Sequence, residues 1–340
     1  MTRTTNIHDV AVQAGVSAAS VSRVMTGSRT VKPETRQRVE QAVAELGYVP
    51  NESARSLKLS RSNLFSCVIP DIANPFFPEL VRGVEDVASA QGYGTLLCNT
   101  DDDPRKEAAY LDLLAQRRID GLLMIPSRDE EPPAGLERIR NQGTPVVVMD
   151  RLLQGFEGDT IMVDNHLGGV QAAQHLVELG HRRIAILNRS PDTSTARLRQ
   201  EGYEEVLISE ALLDESLVKL GSFTFEFGRE AARELLSVAP GDRPTAILAG
   251  SDVLAIAAMQ AVHEIGLQVP DDISIVGFDR IAISQLMSPP LTTIEQPIYQ
   301  MARLAANLLV ERAKGTAKEG TIRRTLQPSL HIGSSTGPAK

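Results

Sequence analysis

Two groups of side chains in this 340-residue sequence have the types and the spacing that ligand binding requires. The first group lies near the N-terminus, on the outer face of a helix that the pattern places just after a glycine turn. Its members are Ser17, Ala18, Ala19, Ser22 and Arg23. Serine hydroxyls suit phosphate oxygens, and a guanidinium fork matches the O6 and N7 atoms of guanine. This group predicts contact with DNA.

The second group consists of polar residues that directly follow short apolar runs: Asp71, Asn74, Asp150, Arg151, Ser251, Asp252 and Asp279. Each of these residues, taken alone, is typical of a turn or of a helix N-cap. Taken together they favour a binding site, because ligands of parallel sheets bind beyond the carboxyl ends of the strands. We therefore expect a polar ligand site at these strand ends.

No motif in the sequence predicts catalysis. The phosphate-binding patterns GxGxxG and GxxxxGK[ST] are absent, and the serine-rich stretches SAAS and SPDTSTAR lack the nucleophile elbow GxSxG. His175 and Glu178 do not form the HExxH pattern of a zinc site. The run from Asp101 to Asp103 could supply metal ligands, but a solvated loop before a helix is the favoured interpretation. We expect no enzymatic activity, no metal and no cofactor.

Helical periodicity predicts how the N-terminal group is positioned. A first helix ends at Gly15, which adopts a left-handed backbone cheaply, and Ser17 is the N-cap of a second helix. Val21 and Val24 face inward from the second helix, and the apolar stripe of the first is Ile7, Val10, Ala11 and Ala14. This arrangement is typical of a helix-turn-helix, whose second helix enters the DNA major groove. A helical hairpin without DNA contact is the alternative.

A third helix is predicted with Pro33 in its first turn and Gly47 at its end. Its inward stripe is Val39, Ala42, Val43 and Leu46. Asn51 is expected to cap a further short helix. Residues 1–60 carry a net charge of +3 and the remaining residues −11, within a total of −8. A basic head on an acidic body favours a polyanionic partner for the head alone.

From residue 64 onward, short apolar runs alternate with helical stretches, which predicts parallel sheets covered by helices on both faces. The runs fall into two series, which predicts two lobes of similar build in tandem. The first series is 64–70, 94–100, 121–126, 145–150 and 160–165, and the second is 183–188, 245–251, 273–279 and 292–296. The expected fold class is α/β, with a helix-turn-helix head and a two-lobed body.

Composition excludes a membrane protein, because the longest apolar runs, such as VVVM at 146–149, fall far short of the roughly 20 residues that a span needs. The first ten residues lack the apolar core of an export signal. Cys67 and Cys98 lack the spacing of a metal or redox pair and are expected to be reduced. We expect a cytoplasmic protein.

Residues 6–59 resemble the DNA-binding head and hinge of the LacI/GalR family of bacterial transcriptional regulators. The matching motifs are IHDVAVQAGVSAASVSRVM, KPETRQRV, LGYVPN and ARSLK, in that order. The resemblance implies that Ala18, Ala19 and Arg23 read bases. The two alanines depart from the larger polar residues common at these positions. They can contact thymine methyl groups but donate no hydrogen bond, so Arg23 is expected to carry most of the direct readout.

The same resemblance implies that Leu57, which lies beside Arg55 and Lys58, enters the minor groove at the centre of the operator. An inserted apolar side chain unstacks a base step and kinks the duplex. Packing in a protein core is the alternative for Leu57, but a short hinge helix offers little core to join.

The body resembles periplasmic sugar-binding proteins through IPDIANPFF, RRIDGLLM, LGHRRIAIL, ARL, VGFD and PLTTIEQP. The set ANPFF, VMDR, DNHLGG, ARL, GFD and IEQ is most similar to the ribose-binding pattern. It implies that Phe76 and Phe77 sandwich a sugar ring, with Phe223 as a lid. The implied hydroxyl-binding residues are Asn74, Asp150, Arg151, Arg197, Asp279 and Gln296. Ser251 stands where an asparagine is usual.

The resemblance therefore implies a repressor with a head (1–50), a hinge helix (51–60) and an effector-binding and dimerisation domain (61–340). We expect a homodimer on a near-palindromic operator, with a pentose such as ribose as the inducer. A purine, a nucleoside, another sugar or a phosphoprotein is the alternative effector. A solute-binding protein without a regulatory role, and an enzyme on the same fold, are the alternative functions.

Overall fold

A computed structural model describes residues 5–25, 30–48 and 62–340 of the protein. The chain divides into two compact units, residues 1–62 and 63–340, which are called the head and the body below. The hinge predicted at residues 51–60 lies outside the described residues, so its helix and its boundaries stay predictions. Among the described residues, no helix is both long and apolar enough to cross a membrane.

The described part of the head contains three helices, α1 (Ile7–Ala14), α2 (Ala18–Met25) and α3 (Pro33–Leu46), which confirms the predicted pattern. A capping box starts α1. The Asn6 side chain accepts hydrogen bonds from the first turn, and the Asp9 carboxylate accepts one from the Asn6 backbone N–H at 2.9 Å. These bonds satisfy backbone donors that a helix start otherwise leaves unpaired.

Two glycines end helices of the head as predicted. Gly15 follows α1 with φ 62°, and Gly47 follows α3 with φ 57°. Both angles lie in the left-handed region, where a side chain strains the backbone. The three helices bury a core of small and β-branched residues: Val10, Ala11, Ala14, Val21, Val24, Val39 and Ala42. Val43 and Leu46 lie partly buried against this core.

The body consists of alternating strands and helices. In chain order they are β1 (Leu64–Ile69), α4 (Phe76–Ala90), β2 (Gly94–Asn99), α5 (Pro104–Gln116), β3 (Gly121–Met124), α6 (Ala134–Asn141), β4 (Val146–Met149), β5 (Asp159–Val163), α7 (Asn165–Glu178), β6 (Ile184–Arg189), α8 (Ser194–Ser209), β7 (Val218–Gly221), α9 (Phe225–Leu236), β8 (Ala246–Ala249), α10 (Asp252–Glu264), β9 (Ser274–Asp279), β10 (Thr292–Glu295), α11 (Ile298–Lys314), β11 (Arg323–Leu326) and β12 (Ser329–His331). Each predicted apolar run contains one of these strands.

Two six-stranded sheets divide the body into two lobes. Lobe 1 has the strand order β11-β5-β4-β3-β1-β2, and all its neighbouring strands are parallel. Lobe 2 has the order β12-β10-β9-β8-β6-β7, and only its edge strand β12 is antiparallel to its neighbour. Helices pack on both faces of each sheet and bury two apolar clusters per lobe. The predicted α/β class is confirmed.

The first series of runs forms lobe 1 and the second forms lobe 2 as predicted, but the chain crosses between the lobes three times, which was not predicted. It enters lobe 2 after β5, returns to lobe 1 as α11, and passes from β11 in lobe 1 to β12 in lobe 2. The apolar runs could not indicate this path, because α11 and β11 lie beyond the second series. The crossings bring the carboxyl ends of both sets of parallel strands to face one another.

Candidate functional site

The described residues of the head include five that were predicted to bind DNA, on or just before α2. The hydroxyl of Ser17 accepts a hydrogen bond from the backbone N–H of Ser20 at 3.2 Å, which makes Ser17 the predicted N-cap. Exposure varies along the face: Ser17, Ala19 and Arg23 are exposed, whereas Ala18 and Ser22 are half-buried. Ala18 packs against the core of the head. The predicted hinge contacts, Arg55, Leu57 and Lys58, lie outside the described residues.

In the body, a cavity of about 420 Å³ lies between the two lobes. Seven of the ten residues predicted to bind the effector line it: Asn74, Phe76, Phe77, Asp150, Arg151, Phe223 and Asp279. They come from loops and helix starts at the carboxyl ends of strands in both lobes. The structure therefore brings together residues that lie more than 200 positions apart in the chain.

Two phenylalanines form the apolar part of the cavity lining. Phe76 and Phe77 open α4, and the Asn74 side chain accepts a hydrogen bond from the Phe76 backbone N–H at 3.1 Å. Their rings meet edge to face, with centroids 5.1 Å apart and planes at 86°. Phe223 lines the same cavity from lobe 2. Aromatic faces suit the C–H surfaces of a sugar ring, while polar groups fix its hydroxyls.

Each lobe contributes one buried aspartate from a strained backbone position at the end of a strand. Asp150 follows β4 with φ 62°, and Asp279 ends β9 with φ 114°. Residues other than glycine rarely adopt such angles, and strained residues cluster at ligand-binding sites. Burial raises the pKa of both carboxyl groups, and that of Asp279 reaches about 6. A ligand that donates hydrogen bonds to these carboxylates would stabilise their ionised form.

Asp279 already has protein partners in this structure. Gln296 donates to its Oδ1 from Nε2 at 2.7 Å, and Arg199 Nη2 lies 3.3 Å from the same oxygen. Gln296 lies on the segment where the chain crosses from lobe 2 to lobe 1, and it contacts the carboxylate rather than lining the cavity. In this structure Gln296 thus positions Asp279, and its predicted role in holding hydroxyls stays a prediction.

Asp150 has fewer hydrogen-bond partners than Asp279. Its Oδ1 is buried and has no hydrogen-bond partner among the described residues, and the same is true of the Nε of Arg151 beside it. One of these atoms is an acceptor and the other a donor. A buried polar atom without a partner costs about 1–3 kcal/mol, so a ligand hydroxyl that reaches both atoms would remove this cost.

Arg199, which was not predicted, lines the cavity, whereas the predicted Arg197 does not. Arg199 donates to the Asn165 side chain at 2.8 Å and to the Gly250 carbonyl at 2.5 Å, and its guanidinium lies 3.8 Å from the centroid of the Phe278 ring. Arg197 is half-exposed and pairs with Glu201 at 3.0 Å. Two residues of a helix turn the side chain by about 200°, which separates the two arginines.

Two glycines, Gly169 and Gly202, are the sequence signal for the position of Arg199. A Cβ on Gly202 would lie 2.3 Å from the His166 carbonyl oxygen, and one on Gly169 would lie 2.5 Å from the Arg199 carbonyl oxygen. Helices α7 and α8 therefore cross in backbone contact, one turn away from Arg199. This contact fixes the face of α8 that points to the cavity, and the face includes Arg199.

Ser251 does not line the cavity. It is the N-cap of α10, and its hydroxyl accepts a hydrogen bond from the Leu254 backbone N–H at 3.3 Å. The alternative interpretation as a capping residue, which was left open for each residue of the strand-end group, describes the observed contacts of Ser251.

Asp102 contradicts the prediction of a solvated loop at residues 101–103. Its carboxylate lies in the cavity and pairs with Arg151 and with Arg189, both at 2.6 Å. Arg189 also pairs with Asp192 at 2.8 Å. Asp103 behaves as expected and caps α5. Among the described residues, no group of three or more histidine, cysteine, aspartate or glutamate side chains is arranged to hold a metal ion.

A head with an exposed helix-turn-helix, joined to a body with a polar cavity between two lobes, defines a class: DNA-binding proteins that carry a periplasmic-binding-protein-like ligand domain. Residues 6–51 match the model for bacterial regulatory proteins of the lacI family, and residues 173–336 match that of the periplasmic binding protein-like domain. The chain is 37% identical to the HTH-type transcriptional regulator DegA of Bacillus subtilis (strain 168) over 98% of each protein. It is 39% identical to the ribose operon repressor of Escherichia coli (strain K12), over 89% of this chain and 92% of the relative.

Solved structures give the same result. A lac repressor dimer bound to operator and the anti-inducer ONPF matches with a TM-score of 0.86 and 28% identity, over 98% of this chain and all of that one. A LacI family transcriptional regulator from Enterococcus faecium with bound ribose matches with a TM-score of 0.73 and 31% identity, over 82% of this chain and all of that one. The protein belongs to the lacI family of bacterial transcriptional regulators.

Proposed function

We propose that this regulator is a homodimeric, cytoplasmic repressor that binds a near-palindromic operator and is released by an uncharged pentose such as ribose. It senses the sugar and does not convert it. The observation that carries the effector proposal is the lining of the interlobe cavity. Two phenylalanines in edge-to-face contact lie beside two buried carboxylates and several arginines. Asp150 Oδ1 and Arg151 Nε have no hydrogen-bond partner among the described residues.

The chemistry of this lining suits vicinal hydroxyl groups. Each hydroxyl both donates and accepts, so it can bridge a carboxylate and a guanidinium at once. The ring carbons of the sugar would meet Phe76, Phe77 and Phe223. The bound ribose in the Enterococcus faecium regulator, and the name of the Escherichia coli relative, support a pentose as the ligand of this chain as well.

Exposed apolar side chains on both lobes support a dimer. Leu96 and Leu97 are exposed on the edge strand β2 of lobe 1, and Ile283 and Leu286 are exposed after β9 in lobe 2. Exposed apolar groups on a sheet edge are typical of surfaces that pair with another chain. A symmetric dimer also provides two heads for two half-sites, as in the operator-bound dimer of the lac repressor.

The loop after β9 offers a path from ligand to subunit arrangement. Asp279 lines the cavity, whereas Ile281, two residues further, is buried in the apolar cluster of lobe 1 with Phe76 and Leu80. A sugar that holds Asp279 therefore also fixes the position of lobe 2 against α4. We infer that this lobe arrangement separates the two hinges of the dimer, so that Leu57 leaves the minor groove.

The first test is thermal unfolding of the full chain with ribose, other pentoses, hexoses, nucleosides and purines. A ligand that binds only the folded protein at 100 times its dissociation constant adds about 2.7 kcal/mol of stability. We expect ribose to raise the melting temperature and glucose to leave it unchanged. A shift with purines alone, or with no sugar, would refute the proposed effector.

The second test measures operator release. A preferred operator is selected from a pool of random duplexes, and its binding is followed by fluorescence anisotropy with and without ribose. Linkage predicts that ribose weakens operator binding by about 5–150-fold. The Arg23→Ala variant should lose about 1–3 kcal/mol on this operator and little on random DNA. Tighter binding with ribose would make the sugar a corepressor and contradict the proposed sign.

A further inference from the structure

The carboxylate of Asp102 lines the cavity and pairs with two arginines, as the oxygens of an anionic ligand would. Asp102 lies in the loop after β2, and its two oxygens face different arginines. Arg151 of lobe 1 donates from Nη1 to Oδ1 at 2.6 Å, and Arg189 of lobe 2 donates from Nη1 to Oδ2 at 2.6 Å. The carboxylate therefore bridges the two lobes through charge-assisted hydrogen bonds, the strongest class in proteins.

Burial makes this bridge necessary. The side chains of Arg151 and Arg189 are only 3% and 5% exposed, and a buried guanidinium without an anion is very costly. Burial of Asp102 acts to raise its pKa, but the charges and hydrogen bonds of the two arginines outweigh it, and its pKa is lowered. Asp102 is thus an ionised group whose single charge is shared by Arg151 and Arg189, and Asp192 supplies a second carboxylate to Arg189 at 2.8 Å.

The rest of the lining has no spare positive charge. Six aspartates and four arginines line the cavity, and every one of the four arginines lies within ion-pair distance of an aspartate. An anionic ligand would have to displace Asp102 and would then face its negative charge at close range. An uncharged polyol meets no such opposition.

We propose that Asp102 is a specificity-determining residue: it fills the anion-binding positions of Arg151 and Arg189 and so restricts the cavity to uncharged polyols, excluding sugar phosphates and sugar acids. This inference rests on the proposed function, because it concerns the same effector cavity. It assigns to one side chain the discrimination between a sugar and its phosphorylated form.

The test is the Asp102→Asn variant, with Asp101→Asn as its matched control. Both residues have a left-handed backbone, φ 55° and 54°, which asparagine tolerates. Both line the cavity, but Asp101 pairs with Lys106 and not with the arginines. Each variant therefore removes one negative charge from neighbouring positions, and only Asp102→Asn removes the carboxylate that Arg151 and Arg189 share. Arg189 keeps its ion pair with Asp192 in both variants.

Isothermal titration of the full chain with ribose, ribose 5-phosphate and inorganic phosphate gives the readout. We expect the unmodified protein to bind ribose and neither phosphate. The Asp102→Asn variant should bind ribose 5-phosphate and inorganic phosphate at least about tenfold more tightly than the unmodified protein, since hydrogen bonds to charged groups contribute more than that factor. The control variant should show no gain, and adding Arg189→Gln to Asp102→Asn should abolish the gain.

The inference is overturned if the folded Asp102→Asn variant gains no phosphate binding, or if the unmodified protein binds ribose 5-phosphate as tightly as ribose. Should Asp102→Asn fail to fold, Asp102→Gly provides the same test, because glycine adopts this backbone without strain. If no variant binds ribose but phosphate binding appears with Asp102→Asn alone, the proposed effector fails and the role of Asp102 stands.

Discussion

Each lobe contributes one equivalent aspartate to the cavity, and the two aspartates differ in how many of their oxygens have hydrogen-bond partners in the protein. Asp279 in lobe 2 and Asp150 in lobe 1 both follow a central strand, both have a positive φ and both are buried. Asp279 is held by Gln296 and Arg199, whereas Asp150 keeps one oxygen without a partner among the described residues. We therefore expect Asp279 to be positioned before a ligand binds, and Asp150 to be completed by the ligand.

This difference between the two aspartates predicts different effects of substitution in the two lobes. Groups that the protein already holds lose their conformational entropy during folding, so they lose little more when the ligand binds. A partnerless group does the opposite: it lowers the stability of the empty protein and returns that free energy when the ligand arrives. Substitutions in lobe 2 should therefore reduce stability, and substitutions in lobe 1 should reduce the response to ligand.

The largest effect is expected for Arg199→Met. It removes the cation from Asp279 together with hydrogen bonds to Asn165 and to the Gly250 carbonyl. Loss of one partner of a buried ion pair costs about 3–5 kcal/mol, and urea unfolding would measure it. Arg197→Met on the same helix is the control, and its half-exposed ion pair should contribute less than about 1 kcal/mol. Equal losses for both variants would show that Arg199 does not organise lobe 2.

A smaller effect is expected for Asp150→Asn, which should raise the stability of the protein and lower its affinity for ribose. Burial opposes the charge of Asp150, and the asparagine is neutral and accepts the same left-handed backbone. The empty protein should gain about 1 kcal/mol of stability, while affinity for ribose should fall by about 10–100-fold, since hydrogen bonds to charged groups contribute about 1.5–3 kcal/mol. Urea unfolding and titration calorimetry give the two numbers. A loss of both stability and affinity would mean that Asp150 is prearranged like Asp279.

The smallest effect concerns pH. The pKa of Asp279 is raised to about 6 by burial, above the ordinary value of 3.8, so this group lowers the free energy of unfolding as pH rises from about 4 to about 6. Sugar hydroxyls donate to the ionised carboxylate and stabilise it, so ribose should bind more tightly as pH rises to about 6, by at most about tenfold per unit. Titrations between pH 5 and pH 7 measure this slope.

Asp252 provides the control for the pH experiment. It is buried near Asp279, its pKa is raised to about 7 by burial and then by the charge of Asp279, and its oxygens accept from Thr293 and from the Ile281 backbone. Asp252→Asn should therefore keep the slope near pH 6, whereas Asp279→Asn should remove it. A slope that survives Asp279→Asn would assign the titration to another group.

Much of the fold could be predicted because it follows from local pattern. The glycines at 15 and 47 ended helices, and the nine apolar runs of the body became strands. The strands that were missed, β7, β11 and β12, are short edge strands at the ends of the two sheets. Edge strands are buried on fewer sides, so their sequences, such as RRTL in β11, need no continuous apolar run.

Site residues that directly follow a strand could be predicted from the sequence. Site residues whose position depends on contacts between distant segments could not. Asp150 and Asp279 were predicted from such positions. Arg199 was missed because the choice between two arginines depends on how α8 lies on α7, and the role of Asp102 depends on two arginines 49 and 87 positions away. Pairings of this kind arise from the packing of the lobes, and local sequence shows at most, as at Gly202, that two helices approach closely.

The three crossings between the lobes bear on how the protein is made. Synthesis proceeds at about 5–20 residues per second, and the head precedes everything else. Neither sheet is complete until the last stretch emerges, because β11 closes lobe 1 and β12 closes lobe 2 within residues 323–331. A chain released early would thus carry two open sheet edges at once, and a nascent head would be exposed to DNA before the two-lobed body had folded.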